Sequence, residues 1–284
     1  VGLDPNLVGQ AEGPWERSWS ADDALLYAVA VGAGQDQPLS ELSLTTENSA
    51  DVEQRALPTL GIVLAQFGGP QTIHLGDVDL TTLVHAEQEL VLHRPLPVAG
   101  RMSLRRQITD VFDKGKGALV VVRTEGVTED GEPLLTTRSS VFLRGAGGFG
   151  GPRGESTPWE PPAGDPDAVL RFRTAPNQAL LYRLTGDRNP LHSDPRFAAL
   201  GGFERPILHG LCTYGITCRL LVGELCGGDP TRVHAMFGRF SRPVWPGDEL
   251  VVSAWRRSDG SALFQTSRAG SDVVLDRGRF DYQP

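Results

Sequence analysis

The segment "HRPLPVAG", residues 93–100, returns as "SRPVWPG", residues 241–247, and this pair decides how the chain divides. Arg94–Pro95 and Arg242–Pro243 lie 148 residues apart. Pro58 in "LPTLG" (57–61) and Pro206 in "RPILHG" (205–210) share that offset, and "ALLY" occurs at both 24–27 and 179–182. Two separated anchors at one offset indicate duplication of a unit of roughly 140 residues, too long for a solenoid repeat. The expected organisation is an N-terminal unit over 1–149, a Pro/Gly-rich linker "GGPRGESTPWEPPAGDPD" over 150–167, and a C-terminal unit over 168–284.

Each unit reads in the same order. Ser20 with Asp23 makes a capping-box pattern ahead of "ALLYAVA", and Thr174 with Pro176 marks the start of the second copy's first helix. A more apolar helix follows, "TLGIVLAQ" in one half and "ILHGLCTYGITCRLLVGEL" in the other. Alternating segments then close each half. "MSLRRQITDVF", "ALVVVRTEGV" and "LLTTRSSVFLR" are separated by "DKGKG" and "EDGEP". "ELVVSAWRR", "ALFQTSRAG" and "VVLDRGRF" are separated by "SDGS" and "GSD". The expected class is α+β, an antiparallel sheet wrapped on a buried helix in each half.

Composition narrows the function. A hydrophobic share of 39% with 22% charged residues, over 284 residues, fits a globular chain with a real core. No apolar run reaches the roughly 18 residues of a membrane span, and the first residues lack the basic and apolar regions of a signal peptide. A net charge of −8 argues against a nucleic-acid partner. Cys212, Cys218 and Cys226 have no CxxC spacing, so neither a disulfide framework nor a structural zinc site is expected, and a reducing cytoplasm is the simplest location. "GAGGFG" (145–150) matches GxGxxG, but Pro152, Pro158, Pro161 and Pro162 follow it, and no helix start is expected there to meet a pyrophosphate. His74, His85, His93 and His234 are scattered without metal-ligand spacing.

The densest stretch is "YRLTGDRNPLHSDPRFAALGGFERPILHGLCTYG", residues 182–215. Asp194–Pro195 is an N-cap and first-turn pair for "PRFAAL", and structure alone accounts for it. Asp187, Asn189 and His192 bring a carboxylate, an amide and an imidazole into one Pro-bent turn. Each has a bland alternative as turn or core residue. Together they can hold one water and move protons on and off it, with Asn189 adding an orienting hydrogen bond. Gly210 lies near the start of the apolar helix, where backbone amides lack intrahelical partners. Its amide can meet a developing oxyanion, and close packing of the helix is the competing reason for glycine.

This stretch resembles the signature of the MaoC-like, hydratase 2 family of (R)-specific enoyl-CoA hydratases. The resemblance implies a double hot-dog fold, two hot-dog units in one chain. It implies that Asp187 and His192 form the catalytic pair with Asn189 in support. It also implies that the Gly210 amide binds the thioester carbonyl, while His209 has a supporting packing or hydrogen-bonding role on the substrate side. The substrate would be an acyl-CoA thioester, no metal or redox cofactor is called for, and a homodimer is expected. The first half departs from the signature. After its "ALLY" comes "AVAVGAGQDQPLSELS", and Gly61 stands where the second half has His209. That half is expected to house the acyl chain, leaving one active site per chain.

Three other readings use the same residues. Dehydration of a carrier-protein thioester involves identical chemistry and calls for a basic patch at the tunnel mouth. A non-catalytic thioester-binding module would need no complete Asp/Asn/His set. Thioester hydrolysis fits the loop less well than hydration. Acyl length and the residues that meet the CoA phosphates are not legible.

Overall fold

Apart from one short strand pair in the first half, the described residues of each half run strand, three α-helices, four strands. The computed structural model describes residues 2–4, 6–78, 83–155 and 159–284. In the first half β1 (Ala11–Trp19) precedes α1 (Ala21–Ala30), α2 (Leu42–Thr45) and α3 (Leu60–Gln66). β2 (Leu83–Leu92), β3 (Gly100–Asp113), β4 (Gly117–Thr128) and β5 (Pro133–Arg144) follow. In the second, β6 (Ala168–Arg173) precedes α4 (Gln178–Tyr182), α5 (Pro195–Leu200) and α6 (Gly210–Leu225). β7 (Val233–Phe240), β8 (Glu249–Arg256), β9 (Ser261–Arg268) and β10 (Val273–Tyr282) complete it. The linker stretch 150–167 includes residues 156–158, which lie outside the described residues.

Among the described residues these ten strands form one antiparallel sheet in the order β1-β3-β4-β5-β2-β7-β10-β9-β8-β6, and the short strands Gly2–Leu3 and Gly76–Asp77 pair with each other in a separate two-stranded sheet. Read inward from either edge, the order is first, third, fourth, fifth, second strand of that half. That is the topological signature of the duplication. The halves join where β2 pairs with β7, Gln88 opposite Gly238 and Leu90 opposite Met236. Tyr27 and Tyr182, the last letters of the two "ALLY" segments, are both buried and meet edge-on with ring centroids 6.2 Å apart.

The helices form for local reasons and are buried for global ones. Ser20 caps α1 by accepting from the Asp23 amide, while the Asp23 carboxylate accepts from the Ser20 amide at 2.8 Å. Such a cap contributes about 1 kcal/mol. α6 is apolar nearly all round, as a helix wrapped by a sheet must be. Each of its fully buried large aliphatic side chains contributes roughly 1.5–3 kcal/mol. Tyr214 Oη donates to the Met236 carbonyl of β7 at 2.6 Å, which satisfies a buried hydroxyl. A Cβ at Gly215 would lie 2.6 Å from Tyr27 Oη and 2.7 Å from Val31 Cγ1, so glycine is what lets α6 lie against α1. The C-terminal carbonyls of α1 are satisfied by the other half: Gln178 Nε2 donates to Ala30 O and Arg219 Nε to Val31 O.

Two helix starts differ from the sequence expectation. α6 begins at Gly210 rather than at Ile207. α4 begins at Gln178 with Asn177 as its N-cap, not at Thr174. The Thr174 amide and hydroxyl both donate to the Asp248 carbonyl, and the hydroxyl also accepts from the Gly247 amide. Thr174 is therefore fastened to the loop between β7 and β8 instead of capping a helix. Among the described residues, no helix is long and apolar enough to cross a membrane. The three cysteines are buried and unpaired, and burial pushes the Cys218 thiol up to about 12 and Cys226 up to about 11.

The "GAGGFG" glycines have a structural occupant. The Asp113 carboxylate accepts from the amides of Gly115, Gly148 and Gly150 at 2.8, 2.9 and 2.8 Å, which holds its pKa below the usual range. A loop whose amides already converge on a carboxylate offers nothing to a phosphate. Asp113→Ala leaves those donors without their acceptor. It is expected to lower Tm by several degrees in a thermal melt while leaving turnover unchanged.

Candidate active site

The loop after α4 is built by a sequence of short caps. α4 tightens into a 3₁₀ turn over Arg183–Thr185, and Gly186 breaks it at φ +145°, a conformation that favours glycine. A Cβ at Gly186 would sit 3.3 Å from Phe67 Cβ and 3.4 Å from Val63 Cγ1, so the loop rests on the end of α3 from the first half. Asp187 follows. Its Oδ1 accepts from the Asn189 amide at 3.1 Å, and Asn189 Oδ1 accepts from the Leu191 amide at 3.0 Å, starting the 3₁₀ turn Pro190–His192. Asp194 caps α5 by accepting from the Arg196 amide at 2.8 Å, with Pro195 as the first helical residue, as its sequence predicts.

Those turns bring Asp187, His192 and His209 together, with ligand atoms all within 4.8 Å of one another. His192 is 8% exposed, and its Nδ1 lies 2.9 Å from the Ile207 carbonyl. A carbonyl only accepts, so Nδ1 carries the proton and Nε2 keeps a lone pair. Burial lowers the His192 pKa from its ordinary value, against the opposing pull of the Ile207 carbonyl and the Asp187 charge. His209 is fully buried and its Nε2 lies 3.3 Å from the Asp187 main-chain carbonyl, which assigns that proton to Nε2. Burial first, then the neighbouring His192, push its pKa down to about 2 and keep it neutral. The two imidazoles stack at 3.8 Å and 28°.

These hydrogen bonds also decide which atoms face a ligand. One nitrogen of each histidine is engaged with a carbonyl, and the remaining His209 Nδ1 is buried without a partner. The Asp187 carboxylate and His192 Nε2 are left to share a small molecule. With its proton on Nε2, His209 has only Nδ1 to offer a cation.

Gly210 is the first residue of α6, and the first intrahelical acceptor is the carbonyl of His209, bonded by the amides of Cys212 and Thr213. The Gly210 amide therefore stands at the positive end of a 16-residue helix without an intrahelical partner. A Cβ there would lie 3.2 Å from Phe240 Cε1, so close packing also calls for glycine.

Four neighbours of the site were not singled out from the sequence. Phe240 walls Gly210 from β7, and its ring stands 4.8 Å from that of His85. Tyr182 packs on His209 with centroids 4.9 Å apart. Val63 and Phe67 come from the other half. Only Tyr182 carried a signal, the repeated "ALLY".

The profile of the MaoC like domain matches residues 159–275, and that of the MFE-2 hydratase 2 N-terminal domain matches residues 18–145. A Mycobacterium tuberculosis protein named 3-hydroxyacyl-thioester dehydratase Y is 45% identical, over 99% of both chains. The chain belongs to the MaoC-like, hydratase 2 family. A second M. tuberculosis member, named enoyl-CoA hydratase ChsH3, is 43% identical over 93% of this chain and 91% of its own. A solved MaoC-like dehydratase from Phytophthora capsici superposes with a TM-score of 0.86 at 31% identity, covering 100% of this chain and 98% of that one. The single sheet with α3 and α6 against it is the double hot-dog fold of these MaoC-like proteins.

Proposed function

We propose that the chain is an (R)-specific enoyl-CoA hydratase, a hydro-lyase that adds water reversibly to a trans-2-enoyl-CoA to give the (R)-3-hydroxyacyl-CoA. Membership of the hydratase 2 family supports this reading, and one observation carries the chemistry. The His192 Nδ1–H is engaged by Ile207, so a basic Nε2 stands beside the Asp187 carboxylate near the start of α6.

A water held by Asp187 and His192 attacks C3 while Nε2 takes its proton. The carboxylate stabilises the imidazolium that forms. The electron pair of the double bond moves toward the thioester, and the Gly210 amide with the α6 dipole meets the negative charge on the carbonyl oxygen. The pair returns the proton to C2 on the same face, which completes syn addition. Dehydration is the same path reversed, so relatives named for either direction are consistent with one mechanism. No cofactor enters these steps. The acyl tail is assigned to the first half, where α3 has 7 residues against the 16 of α6 and Phe67 and Val63 lie directly beneath Gly186.

The pH profile tests the base. Lowering the His192 pKa disfavours the charged form, so the unprotonated base persists to lower pH than in a free imidazole. The acid limb of kcat/KM for hydration is expected to be centred below pH 6.5. A limb centred above pH 6.5 would contradict Nε2 as the proton acceptor.

A further inference from the structure

His209 touches no reacting atom in this scheme, yet it contacts both residues that carry them. Its ring backs His192 at 3.8 Å, and its Nε2–H points at the main-chain carbonyl of Asp187 at 3.3 Å. On its other side lies Tyr182, and the His209 side chain is fully buried. It is also the N-cap residue of α6 but makes no side-chain capping bond, so the start of the helix does not require a histidine. The Nδ1 atom is buried with no partner, which a residue serving only to fill space would avoid.

The duplication supplies an internal comparison. The first half has neither Asp187 nor His192 in its loop, and at the position equivalent to His209 it carries Gly61, where Leu135 fills the space a side chain would take. The hot-dog unit can thus start its central helix without a histidine. The histidine is present in the half that holds the acid and the base.

We propose that His209 is a positioning residue that fixes the Asp187 carboxylate and His192 Nε2 at their working separation. It does so through one hydrogen bond to the Asp187 backbone and one stacked face. The inference rests on the hydratase reading above. The turn Gly186–Asp187 is anchored to the body of the fold by this bond, and the imidazole plane of His192 is set by the ring behind it. Holding reacting groups in register is worth large factors in rate, and a displacement of about 1 Å can remove 10²-fold.

Two substitutions separate the bond from the packing. His209→Phe keeps a flat ring against His192 and removes the N–H. His209→Gln returns an N–H donor near the Nε2 position and gives up the ring. With trans-2-enoyl-CoA as substrate, His209→Phe is expected to lower kcat about 10- to 100-fold, with KM changed less than about threefold. His209→Gln is expected to recover several-fold of that loss, and thermal melts establish that both variants are folded. If Phe does not fold, His209→Leu against His209→Gln makes the same comparison. A purely structural role predicts losses that follow Tm, with Gln no better than Phe, and that result would overturn the proposal, as would a Phe variant at the parental kcat. Asp187→Asn measured alongside keeps the two ideas apart. A dead Asp187→Asn with a fully active His209→Phe rejects only the positioning role, whereas a parental protein that does not hydrate trans-2-enoyl-CoA rejects the hydratase assignment beneath it.

Discussion

Asp187→Asn is expected to abolish most turnover, lowering kcat by about 10²–10⁴-fold, the range for a positioned acid–base group. The substitution is nearly isosteric. An asparagine Oδ1 can still accept from the Asn189 amide, the bond that shapes the turn at 3.1 Å, and the main-chain carbonyl that receives the His209 N–H is unchanged. What disappears is the negative charge beside His192. Without it the imidazolium formed as water attacks has no counter-charge in a buried site, where an unpaired charge is costly. The loss should therefore fall on kcat, with binding of the thioester little affected. His192→Ala is expected to fall in the same range, and the double variant should lose little more than either single one, because the two groups act as a unit. Steady-state kinetics on folded protein checks each value. A folded Asp187→Asn enzyme with near-normal turnover would remove Asp187 from the mechanism.

Gly210 offers the second large effect, and the helix geometry makes the test unusually clean. Position 210 is the first residue of α6, where proline is well tolerated because its missing N–H has no intrahelical partner. His209 stands at φ −57°, ψ 133°, a conformation suited to a residue before proline. Gly210→Pro thus deletes one N–H with little strain in the chain. Its Cβ meets the Phe240 ring at about 3.2 Å, but so does the Cβ of Gly210→Ala, which keeps the amide. The difference between the two variants isolates the hydrogen bond. Relative to Ala, the Pro variant is expected to lose about 10²–10³-fold in kcat, the usual effect of removing one oxyanion donor. Equal activities would mean that Gly210 serves packing against Phe240 alone.

The parts of the fold legible in the sequence were those with strong local patterns. The offset shared by Pro58–Pro206 and Pro95–Pro243 exposed the duplication, and the capping box at Ser20 and the six alternating segments in the two C-terminal runs of strands each stand where expected. Four strands of the ten-stranded sheet carried no such signal. β1 and β6 are the two edges of the sheet, and an edge tolerates the Gly13–Pro14 pair and the charges of "AEGPWERSW" because one side need not pair. β2 and β7 are at the centre, yet "LVHAEQELVL" is rich in Ala, Glu, Gln and Leu, residues that favour a helix in isolation. Pairing with a neighbour on each side overrides that preference.

The site divides along the same line. Asp187, Asn189, His192 and Gly210 were readable because they sit within one short stretch whose turn residues explain themselves. Asn189 proves to do local work as well, its Oδ1 starting the turn that carries His192. Phe240, Val63 of α3 and Phe67 just after it were not readable, since only tertiary packing carries them to the loop. The proton positions on His192 and His209 were likewise absent from the sequence. They depend on which carbonyl each ring nitrogen meets, Ile207 O in one case and Asp187 O in the other.

Hydratase activity and its stereochemistry are read together by adding the protein to trans-2-enoyl-CoA, following loss of the conjugated thioester absorbance, and offering the product to (R)- and (S)-specific 3-hydroxyacyl-CoA dehydrogenases. The expected result is rapid loss of absorbance and a product oxidised only by the (R)-specific enzyme. Unchanged absorbance across chain lengths, or a product consumed by the (S)-specific enzyme, would contradict it.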